Sequence, residues 1–486
     1  MTGPSRDGGE PQLIRGLGTG GATMLNMIDM IGVGPFITLP LVVSAMGGPQ
    51  AILGWVLGAA LAMCDGLVWA ELGAAMPGAG GSYRYLGEIY GPGRAGRLMS
   101  FLFVWQLTFS APLSVASGCI GFAMYAVYAF PALDRTITAA RLHVPLPLVG
   151  GFDAGVQLTL GSLVACGVCL IATLLLYRRI TVVAKLARYL WAGVMLALAL
   201  VIAAGVTHFD PALAFDFPAG SFALGQGFFT GLGAALLVTT YDYWGYYNVC
   251  FIGGEVRDPA RTIPRAVLLS IALVAAIYVV MNVSVLGVIP WREFTQADGE
   301  ARAHFVSALM ERLYGRGAAL VATALVMWTA FASVFSLLLG YSRVPFAAAQ
   351  DRNYFGAFAR VHPRGHFPNV SLLVLGLVAA AFCFLRLSEV IAALVVIRIV
   401  VQFLAQTVGV VVLRRRRPEM ARPFRMWLYP APAIAATCGF AYVLFMRPHF
   451  QRELIYAALL VAAGLVIYFA RARARGEWPF GAGGGA

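Results

Sequence analysis

The sequence has 486 residues, of which 60% are hydrophobic and only 12% are charged. This balance is far from that of a soluble enzyme and indicates a chain whose main solvent is lipid. The formal net charge of +13 does not indicate nucleic-acid binding, because the basic residues form no single stripe along the chain.

Apolar stretches of about 20 residues, long enough to cross a bilayer, recur along almost the whole chain. The sequence predicts an all-α polytopic membrane protein with twelve transmembrane helices. Their expected bounds are 22–45, 50–76, 99–129, 155–177, 183–206, 228–253, 265–289, 317–342, 369–386, 388–413, 427–446 and 453–471. Residues 1–21 and 472–486 are then short tails. The polar opening does not lead directly into a short apolar core, so we expect no cleavable signal peptide.

Basic residues fall mainly in alternate loops, as the positive-inside bias of membrane proteins predicts. With the N-terminus inside, the inner segments hold 25 of the 35 Lys and Arg residues and the outer loops hold 9, leaving Arg398 within a span. A wrong helix count would scramble this separation. We therefore expect a multi-pass protein of the cell membrane with both termini in the cytoplasm.

Two of the expected spans contain residues that interrupt a helix. The first contains Ile31-Gly32-Val33-Gly34-Pro35-Phe36, where two glycines favour unwinding and the proline removes a backbone donor. The sixth contains Tyr243-Trp244-Gly245-Tyr246-Tyr247-Asn248. Lipid cannot satisfy free backbone groups, so an interruption must face protein or a cavity. Close helix packing is the alternative explanation for the first motif.

The two interruptions occupy matching positions in the chain. Each lies in the first helix of a block of five spans, residues 22–206 and residues 228–413. Because each block has an odd number of crossings, the second block is inverted relative to the first. Such inverted repeats are typical of transporters whose site lies at the two breaks. Residues 427–471 form two further helices outside the repeats.

Four separate stretches carry a resemblance to a known family. They are the Gly-x-Gly motif of residues 31–36, AELGAAMPGAGGSYRYLGEIYG at 70–91, GGEVRDPARTIPRAV at 253–267, and SRVPFAAAQDRNYFGAFARVH at 342–362. Together they resemble the amino acid-polyamine-organocation permeases. The resemblance implies a LeuT-like fold of five plus five helices, alternating access, and substrates that carry an amino group.

The chain departs from that family in two places. Pro35 stands where most members have an aliphatic residue, which is similar to the polyamine and L-type amino acid branch of the family. Many proton-coupled members carry a fifth-helix lysine that faces the broken first helix. The corresponding place here falls near Gly193 or Val194, while Lys185 lies about two turns earlier.

Unwound helix ends offer backbone groups that can bind an amino acid. Amides at the start of a half-helix suit a carboxylate because the dipole is positive there. We expect these amides to come from Ile31, Gly32, Val33 and Gly34. Carbonyls of the sixth span, from Tyr241 to Trp244 beside Gly245, would accept from a substrate ammonium.

Asp29 adds a charge to this site, since it lies three residues before Gly32. A carboxylate inside a membrane helix costs about 2.5 to 3.5 kcal/mol and should face a cavity or a partner. Three roles remain open: pairing with a substrate ammonium, a structural ion pair with Arg398, or coordination of a proton or sodium ion. The first role favours a polyamine, another organic amine or a cationic amino acid.

Further polar and aromatic residues complete the predicted site. Arg398 and Gln402 share one helix face in the tenth span, which predicts that they line the pathway. Asp242 lies at the second break. Ser333 and Ser336 are candidate sodium ligands, with packing as the alternative. The predicted aromatic contacts are Trp244 or Tyr246 as a gate, and Phe331.

The function that these features favour is secondary transport of amino acids or related amines. A non-transporting nutrient sensor of the same fold is the alternative from another class. We expect no enzyme, since no nucleotide loop, metal-ligand spacing or nucleophile-base arrangement occurs in the sequence. We expect no cofactor, metal or nucleic-acid partner. The coupling ion, H⁺ or Na⁺, and the oligomeric state stay open.

Overall fold

The computed structural model of the chain describes residues 13–92, 94–144, 152–296, 304–385, 396, 398–447 and 450–480. These residues are mostly helical. Six of their helices are long and apolar enough to cross a membrane, and a bent helix pair makes a seventh such span. Part of the expected tenth span, residues 388–395 and 397, lies outside the described residues, as do residues 1–12 and 481–486 of the expected tails.

The first half of the chain contains the bent pair and three of the long helices. Its helices are α1 Thr19–Met30, α2 Pro35–Met46, α3 Ile52–Ala75, α4 Ser82–Tyr90, α5 Ala95–Ala129, α6 Leu160–Leu176 and α7 Ile180–Thr207. Short 3-10 turns at Pro49–Ala51 and Pro131–Asp134 precede α3 and follow α5.

The second half repeats this alternation of long and short helices. Its helices are α8 Pro211–Ala214, α9 Gln226–Tyr243, α10 Asn248–Phe251, α11 Pro259–Leu286, α12 Trp291–Gln296, α13 Phe305–Tyr314, α14 Arg316–Tyr341, α15 Arg343–Gln350, α16 Asn369–Phe382, α17 Ala405–Arg416, α18 Ala431–Phe445 and α19 Phe450–Arg475. A π-helical stretch, Ile399–Leu404, leads directly into α17. Turns of 3-10 helix lie at Gly253–Glu255 and Gly356–Ala359.

The expectation of an all-helical chain is wrong in one place. Strands β1 (Thr136–Val144) and β2 (Phe152–Thr159) form an antiparallel hairpin between α5 and α6. The apolar residues at 155–159 therefore belong to a strand, and the fourth span begins at Leu160. Its start is fixed by a capping box, in which the Thr159 and Ser162 side chains each accept the other residue's backbone N–H at 2.9 Å.

The bent pair lies at the centre of the helical bundle. Helix α1 packs against α7, α11 and α14, and α2 packs against α9. Most side chains of α1 are buried, from Ala22 to Met30. The two interrupted spans thus meet inside the protein, where lipid does not reach their backbone groups.

One end of the bundle is held together by the segment before α1. The amides of Gly16 and Leu17 donate to the carbonyl of Glu255 at 2.9 and 3.0 Å, and the Leu17 carbonyl accepts from the amide of Arg257 at 2.8 Å. The Glu255 carboxylate accepts from Arg343 Nε at 2.9 Å and Nη2 at 3.0 Å. This ion pair is buried, with 0% and 3% of the two side chains exposed.

Arg343→Gln is expected to destabilise the protein strongly, because it leaves the Glu255 carboxylate buried without its cation. Breaking one side of a buried pair costs about 3 to 5 kcal/mol. We expect the midpoint of thermal unfolding in detergent to fall by at least about 5 °C. The double variant Glu255→Gln with Arg343→Gln should recover part of this loss, since neither charge is then left alone.

The matched control is Arg312→Gln, which breaks the exposed pair between Arg312 and Glu293 at 3.1 Å. Exposed pairs contribute about 0 to 1 kcal/mol, so its unfolding midpoint should stay within about 1 °C of the parent. Equal midpoints for Arg343→Gln and Arg312→Gln would contradict the expected role of the buried pair.

Candidate functional site

Both interruptions that the sequence predicts are present in the structure. Helices α1 and α2 meet at an angle of 52° across residues 31–34. Helix α9 ends at Tyr243, and residues 244–247 are non-helical before α10 begins. Trp244 is extended, with φ −62° and ψ 146°, and Gly245 has a φ of +121°. A φ in this region is essentially confined to glycine, so Gly245 makes the second break.

The two breaks lie directly against each other. A Cβ atom added to Gly245 would lie 2.7 Å from the Met30 nitrogen. The Tyr278 hydroxyl donates to the carbonyls of Met30 and Asp242 at 2.8 and 3.2 Å. Asn26 Nδ2 donates to the Tyr246 carbonyl at 2.6 Å. One tyrosine and one asparagine therefore hold the broken ends together.

A cavity of about 300 Å³ opens between the breaks. Leu41, which is 47% exposed, lines its mouth. This volume is within the range of small-molecule sites. Its lining comprises Asp29, Met30, Gly32, Val33, Gly34, Ile37, Thr38, Leu41, Ser114, Ser117, Gly118, Leu237, Val238, Tyr241, Asp242, Trp244, Gly245, Tyr247, Ser333, Leu337, Tyr341, Arg398 and Arg447.

The first break presents backbone amides to this cavity. The amide of Ile31 donates to the Met27 carbonyl at 2.8 Å and continues the helix. The next three amides, of Gly32, Val33 and Gly34, donate to no acceptor among the described residues. Three adjacent donors without a protein acceptor at the start of a half-helix suit an anionic group.

The second break presents carbonyl oxygens. The Tyr241 carbonyl accepts from the Trp244 amide at 3.1 Å, and the Asp242 carbonyl accepts from Tyr278. Within the described part of the chain, the carbonyls of Tyr243 and Trp244 accept no hydrogen bond. Trp244 lines the cavity and Tyr243 does not, so the Trp244 carbonyl is the one of the two that is placed to meet a bound cation.

Asp29 faces the cavity with one carboxylate oxygen unpaired. The side chain is 7% exposed, and its Oδ1 accepts no hydrogen bond from any described residue. Arg398 lines the same cavity, but no ion pair joins the two side chains in the part of the chain that is described. The structure therefore does not contain the direct Asp29–Arg398 pair that was one alternative.

Arg398 is held by neutral groups instead. Its Nη2 donates to Ser114 Oγ at 2.6 Å, and its Nη1 donates to the Tyr247 hydroxyl at 3.3 Å. The guanidinium lies 5.5 Å from the Trp244 ring centroid and 5.0 Å from that of Tyr341. These contacts fix a positive charge at the cavity wall.

Asp242 is the second carboxylate of the cavity. Its Oδ2 accepts from Thr38 Oγ1 at 2.7 Å, which joins α9 to α2. Its Oδ1 accepts nothing from the described residues. A Cβ atom on Gly34 would lie 2.5 Å from this Oδ1, so the glycine is required for the close approach of the two breaks.

An aromatic cluster closes the cavity on the side of the segment before α1. It consists of Trp69, Tyr85, Tyr247 and Phe251. The rings of Trp69 and Tyr247 stack at 4.8 Å, and Phe251 packs edge-on against Trp69 at 5.9 Å. All four side chains are at most 1% exposed. We call this cluster the aromatic plug.

Ten of the fifteen residues predicted for the site line the cavity. They are Asp29, Gly32, Val33, Gly34, Tyr241, Asp242, Trp244, Gly245, Ser333 and Arg398. Residues at the two breaks are brought together because the breaks themselves meet. Trp244, one of the two gate candidates, packs its ring against Phe403 at 5.0 Å.

The other five predicted residues lie outside the cavity lining. Ile31 is fully buried, and Tyr246 turns away to donate to Asp65 Oδ2 at 2.6 Å. Phe331 lines a separate apolar cavity between α5 and α14. Ser336 Oγ donates to the Leu25 carbonyl at 2.9 Å. Gln402 is buried, with 1% of its surface exposed.

Several cavity residues were missed by the sequence reasoning. Thr38, Ser114, Ser117 and Tyr341 all line it. A pattern could have indicated the two serines, because residues 110, 114 and 117 are serines that share one face of an apolar helix. Thr38 and Tyr341 are single residues whose direction depends on packing.

The chain is similar to known transport proteins over most of its length. The family model described as amino acid permease matches residues 17–465. The branched-chain amino acid permease of Bacillus subtilis is 26% identical over 474 residues, covering 96% of this chain and 94% of the relative. The serine/threonine exchanger of the same organism is 24% identical, covering 90% and 93%. Cationic amino acid transporter 4 of Mus musculus is 24% identical, covering 83% and 60%.

Proposed function

The chain belongs to the amino acid permease family and is a membrane transporter of amino acids, and from this premise we propose that the cavity between its two broken helices is the substrate site. One observation carries this proposal. Three amides that donate to no described acceptor, the free carbonyl of Trp244 and an unpaired Asp29 oxygen belong to residues that line the same cavity of about 300 Å³. Each group that an α-amino acid presents thus has a complementary group here.

The substrate carboxylate binds the amides of Gly32, Val33 and Gly34. The positive end of the α2 dipole supports the same charge. The substrate ammonium binds the Asp29 carboxylate together with the carbonyl of Trp244. Such a substrate satisfies donors of the first break and acceptors of the cavity at once, and buried polar groups are costly when left unpaired.

Two acidic side chains at the cavity would also suit a second class of substrate. Asp29 and Asp242 both line the cavity and each has an oxygen that accepts no hydrogen bond from a described residue, while Arg398 and Arg447 are the basic residues of the described lining. A cationic amino acid, a polyamine or another organic amine would place one ammonium at each carboxylate. We keep this class as the alternative substrate.

The way the cavity is closed supports alternating access. Leu41, which is 47% exposed, lines the open end, and the aromatic plug closes the other. We propose a LeuT-like arrangement of twelve spans in two inverted repeats, residues 22–206 and 228–413, with residues 427–471 outside them. The concentration of Lys and Arg in alternate loops supports cytoplasmic termini. With that orientation, the plug lies on the cytoplasmic side of the site.

Transport, rather than sensing, is the function that the relatives support. The three relatives are named as a permease, an exchanger and a transporter. The sensor alternative receives no support from these names. Family membership also gives no support for an enzymatic activity.

The test is counterflow in proteoliposomes loaded with unlabelled L-amino acids and supplied with a mixture of the twenty radiolabelled L-amino acids. A carrier is expected to show saturable, transient accumulation of label. Linear, non-saturating flux would indicate a channel and would contradict alternating access. A thermal-shift screen with single amino acids and polyamines then names the substrate, because a ligand at 100 times its Kd stabilises by about 2.7 kcal/mol.

The matched ligand controls are the N-acetyl and the amide derivatives of the amino acid that the screen selects. The first removes the ammonium charge and the second removes the carboxylate. Both should lose the stabilisation. A polyamine that stabilises as well as the best amino acid would favour the alternative substrate class.

A further inference from the structure

A second buried acid lies beside the substrate site but outside its lining. Asp65, in the middle of α3, is 0% exposed. Its Oδ2 accepts from Trp69 Nε1 at 2.9 Å and from the Tyr246 hydroxyl at 2.6 Å. Its Oδ1 accepts no hydrogen bond from any described residue. This carboxylate oxygen can therefore accept one more hydrogen bond or take up a proton.

No cation compensates a charge on Asp65 within the described part of the chain. The residue takes part in no ion pair there, and Gly66 packs against the apolar side chain of Ile271 on α11. The basic residues on the neighbouring helices lie at helix ends. Arg414 is paired with Glu71 at 2.5 Å, and Arg261 and Arg265 are exposed.

The remaining ionisable groups around this part of α3 are acids, phenols and thiols. By element they are Cys64 on α3, Asp242 and Tyr243 on α9, Tyr246, Tyr247 and Cys250 after the second break, Tyr278 on α11, and Cys438 and Tyr442 on α18. Of these, Tyr246, Cys250 and Cys64 interact electrostatically with Asp65. None carries a positive charge. A proton is therefore the cation that this carboxylate can take up without a rearrangement of side chains.

Asp65 also accepts a hydrogen bond from a residue of the second break. Tyr246 belongs to the non-helical residues 244–247, whose backbone lies against α1. The next residue, Tyr247, lines the cavity and stacks on Trp69 in the aromatic plug. Separating the Tyr247 ring from Trp69 to open the plug would also move the neighbouring Tyr246 away from α3, and with it the hydrogen bond that Tyr246 donates to the Asp65 carboxylate.

We propose that Asp65 is the proton-binding site that couples transport to a proton gradient. The proposal rests on the transport function stated above. With the plug closed, Tyr246 and Trp69 donate to the carboxylate. When the plug opens and the tyrosine withdraws, the carboxylate takes a proton from water on one side of the membrane. The proton returns to water on the other side when the Tyr246 hydroxyl again donates to the carboxylate.

The test uses reconstituted parent protein and Asp65→Asn, with the mixture of radiolabelled L-amino acids as probe. Because the carboxylate takes its proton when the plug opens to the cytoplasm, protons move opposite to the substrate, so an acidic vesicle lumen should drive accumulation and proton exit in the parent. In Asp65→Asn, gradient-driven accumulation and proton exit should fall at least about 10-fold, while counterflow without a gradient stays within about 2-fold. Asp134→Asn, at an exposed acid outside the membrane, should behave as the parent does.

Tyr246→Phe tests the same inference should Asp65→Asn fail to fold. It removes one donor to the carboxylate and keeps the ring. The pH of half-maximal uptake should rise by about one unit, whereas a purely structural role would lower uptake equally at every pH. An unshifted profile, or substrate-coupled proton exit that survives in Asp65→Asn, overturns the inference. Absence of counterflow in the parent would instead overturn the transport mechanism itself.

Discussion

Gly245→Ala is expected to abolish transport. The φ of +121° at this residue strains any side chain by about 1 to 3 kcal/mol. The new Cβ would also lie 2.7 Å from the Met30 nitrogen and 2.8 Å from the Asp29 carbonyl carbon. These neighbours are backbone atoms of the other broken helix, so they cannot turn aside as a flexible side chain could. Counterflow should fall below about 5% of the parent rate, because the two breaks are forced apart.

The matched control is Gly220→Ala. Gly220 also has a positive φ, +76°, but a Cβ there would meet no atom within 4 Å. It shares the conformational strain and lacks the collision with a neighbouring helix. We expect full transport from Gly220→Ala, with a slightly lower unfolding midpoint. Equal transport by the two variants would show that the contact between the breaks does not matter.

Asp29→Asn is expected to weaken substrate binding strongly. The change keeps the size of the side chain and removes the charge that we propose for the substrate ammonium. Truncating one partner of a buried, hydrogen-bonded charge pair costs about 2 to 5 kcal/mol. The Kd measured by thermal shift or counterflow should therefore rise by roughly 30-fold or more. Asp134→Asn, an exposed acid far from the cavity, serves as the control.

Asp29→Asn should weaken the binding of zwitterionic amino acids and of polyamines to different extents. A zwitterionic amino acid keeps its contacts with the free amides and the Trp244 carbonyl in Asp29→Asn, whereas a polyamine loses one of its two carboxylates. The variant should thus lose proportionally more polyamine binding. Unchanged affinity and unchanged pH dependence in Asp29→Asn would show that this residue does not bind the ammonium.

The positions of both helix breaks could be predicted from the local sequence. Gly32, Gly34 and Pro35 disfavour a helix whatever surrounds them, so the first break lies where the residues predict it. Gly245 does the same in the sixth span. The strands at 136–144 and 152–159 were not foreseen, because residues 155–159 were assigned to the start of the fourth expected span.

The side-chain contacts around the cavity could not be predicted from the local sequence. Thr38 and Asp242 are 204 residues apart in the chain, yet their side chains share a hydrogen bond. Tyr246 and Trp244 are close in sequence and equally aromatic, but one donates to Asp65 while the other lines the cavity. Their directions depend on the non-helical backbone around Gly245, where helical periodicity no longer assigns faces.

The sequence by itself determined that the chain lies in a membrane, where its helices break and which charges it must bury. These properties follow from composition and from the backbone limits of glycine and proline, which act on each residue locally. Only the tertiary structure decided that no ion pair joins Asp29 to Arg398 among the described residues, that three amides find no acceptor there, and that Asp65 joins α3 to the second break. Such pairings depend on how distant helices pack, because each side chain bonds to whichever partner the bundle brings within reach.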